Sequence, residues 1–125
     1  MSDNEKEVNE RSETAGLAFL KVDKIKRGSH GLQLLLRPDD IIVSLDKNVL
    51  RTTPKIFKQK IKEKDKSVLT IFRKNFFFNI RANGPLGISL IETNSDEDNE
   101  LLEKTQNYLK SLAEFDEYKE YEVYK

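Results

Sequence analysis

The chain has 125 residues and a mass of 14.6 kDa, with 22 Lys and Arg against 22 Asp and Glu, one His and no Cys. That length suits one domain with tails, and the lack of Cys excludes disulfide scaffolds, thiolate metal sites and cysteine nucleophiles together. A lone His30 excludes a multi-histidine metal centre, and no apolar run approaches the roughly 20 residues that span a bilayer. Met1 to Thr14 is polar and acidic, without the apolar stretch of a signal peptide, so a soluble cytoplasmic protein is expected.

The zero net charge conceals a segregation. Residues 1–20 hold two bases and five acids, residues 21–82 sixteen and six, and residues 83–125 four and eleven. A basic body thus lies between two acidic ends, which bears on partners more than the total does.

In chain order, residues 1–15 have the composition of a disordered acidic tail. Leu17 to Ile25 is apolar and then alternates, the pattern of a strand. Two glycines make Arg27-Gly28-Ser29-His30-Gly31 a loop, and Leu32 to Leu36 a short turn of helix before Pro38. Ile41 to Leu45 is a β-branched strand ending at an Asp46-Lys47-Asn48 turn. Thr53 is placed to cap a helix with Pro54 in its first position, running to about Glu63 with Phe57 and Ile61 on its inner face. Ser67 to Arg73 and Asn75 to Ile80 are strands joined tightly at Lys74-Asn75. Asn83 to Gly87 is a loop, Ile88 to Ile91 a short strand, and a second helix starts at Ser95. Asp96, Glu97 and Asp98 suit its dipole, and Leu101, Leu102, Thr105, Leu109 and Leu112 form its apolar stripe.

Three segments together carry a family resemblance. Arg37-Pro38-Asp39-Asp40-Ile41-Ile42-Val43-Ser44-Leu45-Asp46 resembles the P-G-D-I-I segment of PDZ domains, with Arg27-Gly28-Ser29 and Gly31-Leu32 before it similar to the loop and first helix of that fold. Thr53 to Ile61 and Val68 to Arg73 resemble its second helix and the strand that follows. Phe76 to Ile80, then Gly84-Pro85-Leu86-Gly87-Ile88-Ser89-Leu90, is similar to its first strand, carboxylate-binding loop and peptide-pairing strand. Those elements open an ordinary PDZ domain and here come last, so the chain resembles a circularly permuted PDZ domain cut between the second and third strands. Gly16-Leu17-Ala18-Phe19 mimics the loop motif but leaves no room for two strands after it, and is taken as the start of the third strand. Asp39 stands where the family has Gly, at a turn expected to have positive φ, which Asp tolerates better than most residues.

The resemblance implies an α+β, mainly β fold: a five- to six-stranded partly open barrel with two capping helices over residues 16–92, followed by an acidic helical extension over 93–125. It implies a non-enzymatic interaction module that binds an extended peptide or protein C-terminus by strand addition. The loop Pro85, Leu86, Gly87 and Ile88 would hold the terminal carboxylate through the amides of Leu86, Gly87 and Ile88. Ile88, Ser89, Leu90 and Ile91 would pair with the peptide, and Pro54, Phe57, Lys58 and Ile61 would form the groove helix. Apolar Leu86 and Ile88 imply an apolar last ligand residue. Lys55, Lys58, Lys60, Lys62, Lys64 and Lys66 form a basic rim that favours acidic residues upstream. No cofactor or metal is implied.

Two other classes of function compete with this reading. In one, the chain is a structural or oligomerisation module whose groove is closed by its own acidic C-terminal segment, in the same molecule or a second copy. In the other, the basic body binds nucleic acid with Phe76 to Phe78 stacking on bases, although alternation buries either Phe77 or both Phe76 and Phe78. Ser29-His30 lie side by side on a glycine loop without a third partner, which argues against nucleophilic catalysis. Asp39-Asp40 reads as turn chemistry, and Asp96 to Asp98 as helix-dipole pairing.

Overall fold

Two tight turns with left-handed backbone set the strand registers. Asp46 and Lys47 have φ of 52° and 70°, and Lys74 and Asn75 have φ of 46° and 69°. A pair of positive φ values is what a two-residue hairpin turn needs, and its twist matches that of the flanking strands. The computed structural model describes residues 17–123, the backbone alone beyond residue 114; the tail expected over 1–15 lies outside the described residues.

The strands are β1 (Leu20–Ile25), β2 (Ile41–Leu45), β3 (Asn48–Val49), β4 (Ser67–Arg73), β5 (Phe76–Ala82) and β6 (Ile88–Glu92). The helices are α1 (His30–Gln33), α2 (Pro54–Lys62) and α3 (Ser95–Val123). The strands form one antiparallel sheet in the order β5-β4-β2-β1-β6, with β3 pairing β2. This is the mainly β, α+β architecture expected. β5 and β6 are consecutive in the chain yet occupy opposite edges. A flat five-strand path would separate those edges by about 19 Å, while the step from Ala82 to Ile88 reaches only about 20 Å at full extension. Gly84 and Gly87 both have positive φ, at 76° and 68°, so the link is not extended and the sheet must curl to bring its edges together.

Each face of the sheet carries its own core. Leu20, Val22, Ile42, Leu69, Ile71, Leu86, Ile88 and Leu90 pack with Phe57 and Ile61 of α2. Phe19, Ile41 and Val43 pack with Leu101 of α3, joined by Phe72, Phe77 and Leu102. The alternation Ile41, Ile42, Val43 and the pair Ile71, Phe72 place the two clusters on opposite faces. That is why all five residues of β2 are buried. A bulge at Val43 shifts the register to Ser44, whose hydroxyl meets Thr70, which in turn donates to Asn79 at 2.8 Å.

Local chemistry explains the helices. Thr53 Oγ1 accepts from the Ile56 amide at 3.3 Å, and Pro54 opens α2 as expected. Phe57 and Ile61 are both 1% exposed, and burying each contributes about 2–3 kcal/mol. The first helix departs from expectation: it occupies His30–Gln33 and not Leu32 to Leu36. Ser29 Oγ caps it by accepting from Leu32 N at 3.2 Å, and Leu35 turns left-handed at φ 64°, which ends it early. β1 likewise starts at Leu20, because Ala18 is drawn aside to bridge Thr52.

The Arg37-Pro38-Asp39-Asp40 turn is built on two acids with separate tasks. Asp39 has φ 76°, the left-handed geometry anticipated for it. Asp40, 1% exposed, accepts from Arg37 N at 2.8 Å and takes a two-pronged pair from Arg73, Nε and Nη2 both at 2.7 Å. That hydrogen bonding holds the Arg73 guanidinium above its ordinary range.

Asp98 does more than favour the helix dipole. The residue is 2% exposed, and its carboxylate accepts from Phe19 N at 2.9 Å and pairs with Arg51. It thereby ties the start of β1 and the segment after β3 to the first turn of α3. Asn94 Oδ1 caps that helix by accepting from Glu97 N at 2.8 Å. In the phenylalanine run, Phe77 stacks on Tyr108 of α3 at 4.6 Å, Phe78 lies under Arg73 at 4.7 Å, and Phe76 is 52% exposed.

Candidate peptide-binding groove

β6 is an edge strand: β1 lies on one side, and a groove of about 700 Å³ separates its other side from α2. Pro85, Leu86, Gly87, Ile88, Ser89 and Leu90 line one wall, and Phe57, Lys58, Ile61 and Lys62 the other. Lys24, Ile25 and Lys26 complete the rim from the β1 side. Pro54 and Ile91, named with these from the sequence, are not among the lining residues; Ile91 is 47% exposed on the outer face of β6.

The backbone of β6 can be read from its two ends. Gly87 O accepts from Lys26 N at 3.1 Å and Thr93 N donates to Phe19 O at 3.0 Å, so both residues direct backbone groups toward β1. The register skips Asp23 on β1 but is regular along β6. Strand backbone groups alternate, so Ile88, Leu90 and Glu92 turn their N–H and C=O groups to the open edge. Side chains alternate too: Ile88 and Leu90 are buried toward α2, while Ser89 and Ile91 face outward.

The preceding loop is held by the carbonyls of Leu86 and Gly87 and by the amide of Asn83. Leu86 O accepts from Gly31 N at 2.8 Å, and Asn83 N donates to Nε2 of His30 at 2.9 Å. Because Nε2 accepts from that amide, the neutral ring carries its proton on Nδ1, 3.3 Å from Gln33 Oε1. Among the described residues, the amides of Leu86 and Gly87 donate to no protein acceptor. At Gly87 the left-handed φ of 68° favours glycine, and a Cβ there would stand 2.7 Å from Ser29 Cβ, too close for any side chain without a shift. Gly31 allows an equally close approach, since its Cβ would meet Ile88 Cγ2 at 2.6 Å and Leu86 O at 3.0 Å.

Ser29 and His30 are thus committed to capping α1 and bracing the loop, in place of the flexible loop expected from two glycines. The roles of Gly31, Lys24 and Lys26 were missed from the sequence. The two lysines read as the solvent side of an alternating strand, and no spacing rule predicts which helix will approach a given glycine. Of the six rim lysines expected, Lys58 and Lys62 line the groove. Lys64 instead pairs with Asp46, which also accepts from Val68 N at 2.9 Å. The Lys64 ammonium, then the Val68 amide, hold the Asp46 carboxyl below the usual carboxylate range.

The acidic extension does not line this groove over its described side chains. α3 packs through Leu101 and Leu102 on the opposite face of the sheet, with Lys21 and Glu97 paired at 3.0 Å. The side chains of 115–125, where the acidic segment was expected to close the groove, lie outside the described residues.

No family model matches the chain, and no curated protein matches it. Solved structures that it resembles include the PDZ domain of the SdrC-like protein from Listeria monocytogenes. That structure is 18% identical with a TM-score of 0.48, over 58% of this chain and 86% of the other. The six-stranded antiparallel sheet and its three helices make a mainly β, α+β fold. No helix of the described residues is long and apolar enough to cross a membrane.

Proposed function

We propose that the chain is a non-enzymatic protein-interaction module with a circularly permuted PDZ-like domain over residues 16–92. It binds an extended peptide or protein C-terminus by strand addition to β6. The observation that carries this reading is the edge of β6 itself. Outward-facing backbone groups at Ile88 and Leu90 run into the free amides of Leu86 and Gly87, beside an apolar wall of Phe57 and Ile61. Strand addition supplies affinity through main-chain bonds, and converging amides suit a carboxylate. The permutation is supported by the same elements: the resembling loop and pairing strand come last in the chain, and β6 nonetheless lies beside the first strand, β1.

With the carboxylate at the start of β6, the ligand runs antiparallel to that strand. Its last residue meets Leu86, Ile88 and Ile61, which selects an apolar side chain. Pro54 stands away from the groove and offers no hydroxyl-selecting group there. The test is titration with peptides ending in an apolar residue, free or amidated at the C-terminus, followed through the backbone amide signals of Leu86, Gly87 and Ile88. Binding of the free acid, with loss on amidation, is expected. No binding of either form defeats the proposal and favours the structural module.

A further inference from the structure

Four lysines stand around the groove on two different walls, Lys24 and Lys26 from the β1 side and Lys58 and Lys62 from α2. Among the described residues none of the four has an acidic partner, whereas Lys21, Arg51, Lys64 and Arg73 each do. Unpaired ammonium groups bordering an apolar cleft create a local positive potential that attracts anionic ligands.

Strand geometry assigns the walls to ligand positions. A ligand whose carboxylate rests on the loop amides sets its last residue opposite Ile88, its penultimate residue opposite Ser89 and the one before that opposite Leu90. Residues directly opposite on antiparallel strands share a face. The last and antepenultimate side chains therefore turn toward α2, with Ile88 and Leu90, where Lys58 and Lys62 stand. The penultimate side chain shares the outward face with Ser89, and Ser89 is itself opposite Lys24 in the β1–β6 register. Two strand spacings, about 10 Å between Cα atoms, separate Lys24 from that ligand position across a small serine. A lysine and a glutamate together reach across that distance.

We infer that this groove selects C-terminal peptides with two consecutive acidic residues immediately before an apolar last residue, the penultimate acid read by Lys24 and the antepenultimate by the Lys58–Lys62 wall. Consecutive side chains of an extended peptide point to opposite sides, so only adjacent acids engage both walls at once. The inference rests on the strand-addition reading and fixes its ligand class.

The experiment uses the full chain and fluorescein-labelled ten-residue peptides ending in Val, measured by anisotropy at low and high salt. One peptide carries Glu-Glu before the Val, one Gln-Gln, and one places the two Glu five and six residues from the end, keeping the charge constant. The adjacent acidic pair is expected to bind about tenfold more tightly than Gln-Gln at low salt, with the gap shrinking at high salt. Lys24→Glu is expected to favour Lys over Glu at the penultimate position, and the double variant Lys58→Glu, Lys62→Glu at the antepenultimate. All three lysines are exposed, so both variants should keep the wild-type unfolding midpoint. Equal affinity for all three peptides overturns the inference while leaving strand addition standing. So does a preference that follows net charge without regard to position, or a reversal at the same position by both variants. No binding by any free-acid peptide overturns the strand-addition reading itself.

Discussion

Beneath α3, bases meet carboxylates: Lys21 pairs with Glu97 at 3.0 Å, and Arg51 with the buried Asp98. Around β6, Lys24, Lys26, Lys58 and Lys62 ring an apolar groove and, among the described residues, meet no carboxylate. Both regions belong to one basic body, and the difference lies in where Glu97 and Asp98 are used. They neutralise the bases beneath α3 and leave the described rim of the groove positive. Segment charge therefore has to be read with the packing, because the +10 body is not uniformly basic once α3 is seated on it.

The largest way to break this contrast is to remove Asp98. Asp98→Ala leaves Arg51 and Phe19 N without their buried acceptor, and is expected to cost about 3 kcal/mol in urea unfolding. Charge reversal at Lys24 should stay within about 0.5 kcal/mol, as for an exposed residue with no special contact. On the groove side, Gly87→Ala forces a left-handed alanine against Ser29, a cost of about 1–2 kcal/mol from the backbone alone. It should also shift the amide signals of Leu86 and Ile88 and abolish binding of free-acid peptides.

Back under α3, Thr105 is fully buried and its Oγ1 has no hydrogen-bond partner among the described residues. Thr105→Val keeps the shape and removes the orphan hydroxyl, so a gain of about 1 kcal/mol is expected by the same unfolding measurement. At the edge of the groove-side core, Asp39→Gly relieves a left-handed aspartate and should add roughly 0.5 kcal/mol.

The smallest effect concerns the acid–base pair just beyond the end of α2. Asp46 has a lowered carboxyl pKa, so its stabilising contribution is complete above the ordinary carboxylate value near 3.8. That contribution is lost as pH falls through the depressed native value. Asn also accepts the left-handed φ of 52°, so Asp46→Asn keeps the turn. It should flatten this part of the acid limb in urea midpoints recorded against pH.

Much of this molecule was legible in the sequence because its signals are local. Thr53-Pro54, the hairpin at Lys74-Asn75 and the left-handed Asp39 each follow from the conformational limits of one or two residues. What stayed hidden depends on distance. Asp98 meets Phe19 across 79 positions, and nothing around either residue announces it. Gly31 looked like loop punctuation, although its lack of a side chain is what lets α1 touch the loop before β6. Lys24 gained significance only when Ser89 became its neighbour.

The pairing of β6 with β1 also has a kinetic side. Leu20 lies opposite Glu92, so this ladder joins the first and last strands of the sheet and is a contact of high sequence separation, the kind that slows folding. During synthesis β1 keeps a bare edge until residues 88–92 emerge, and a bare strand edge invites pairing with other chains. The groove does not exist before that closure, because β6 is one of its walls. A partner that binds there can stabilise the finished fold but cannot serve as a template for making it.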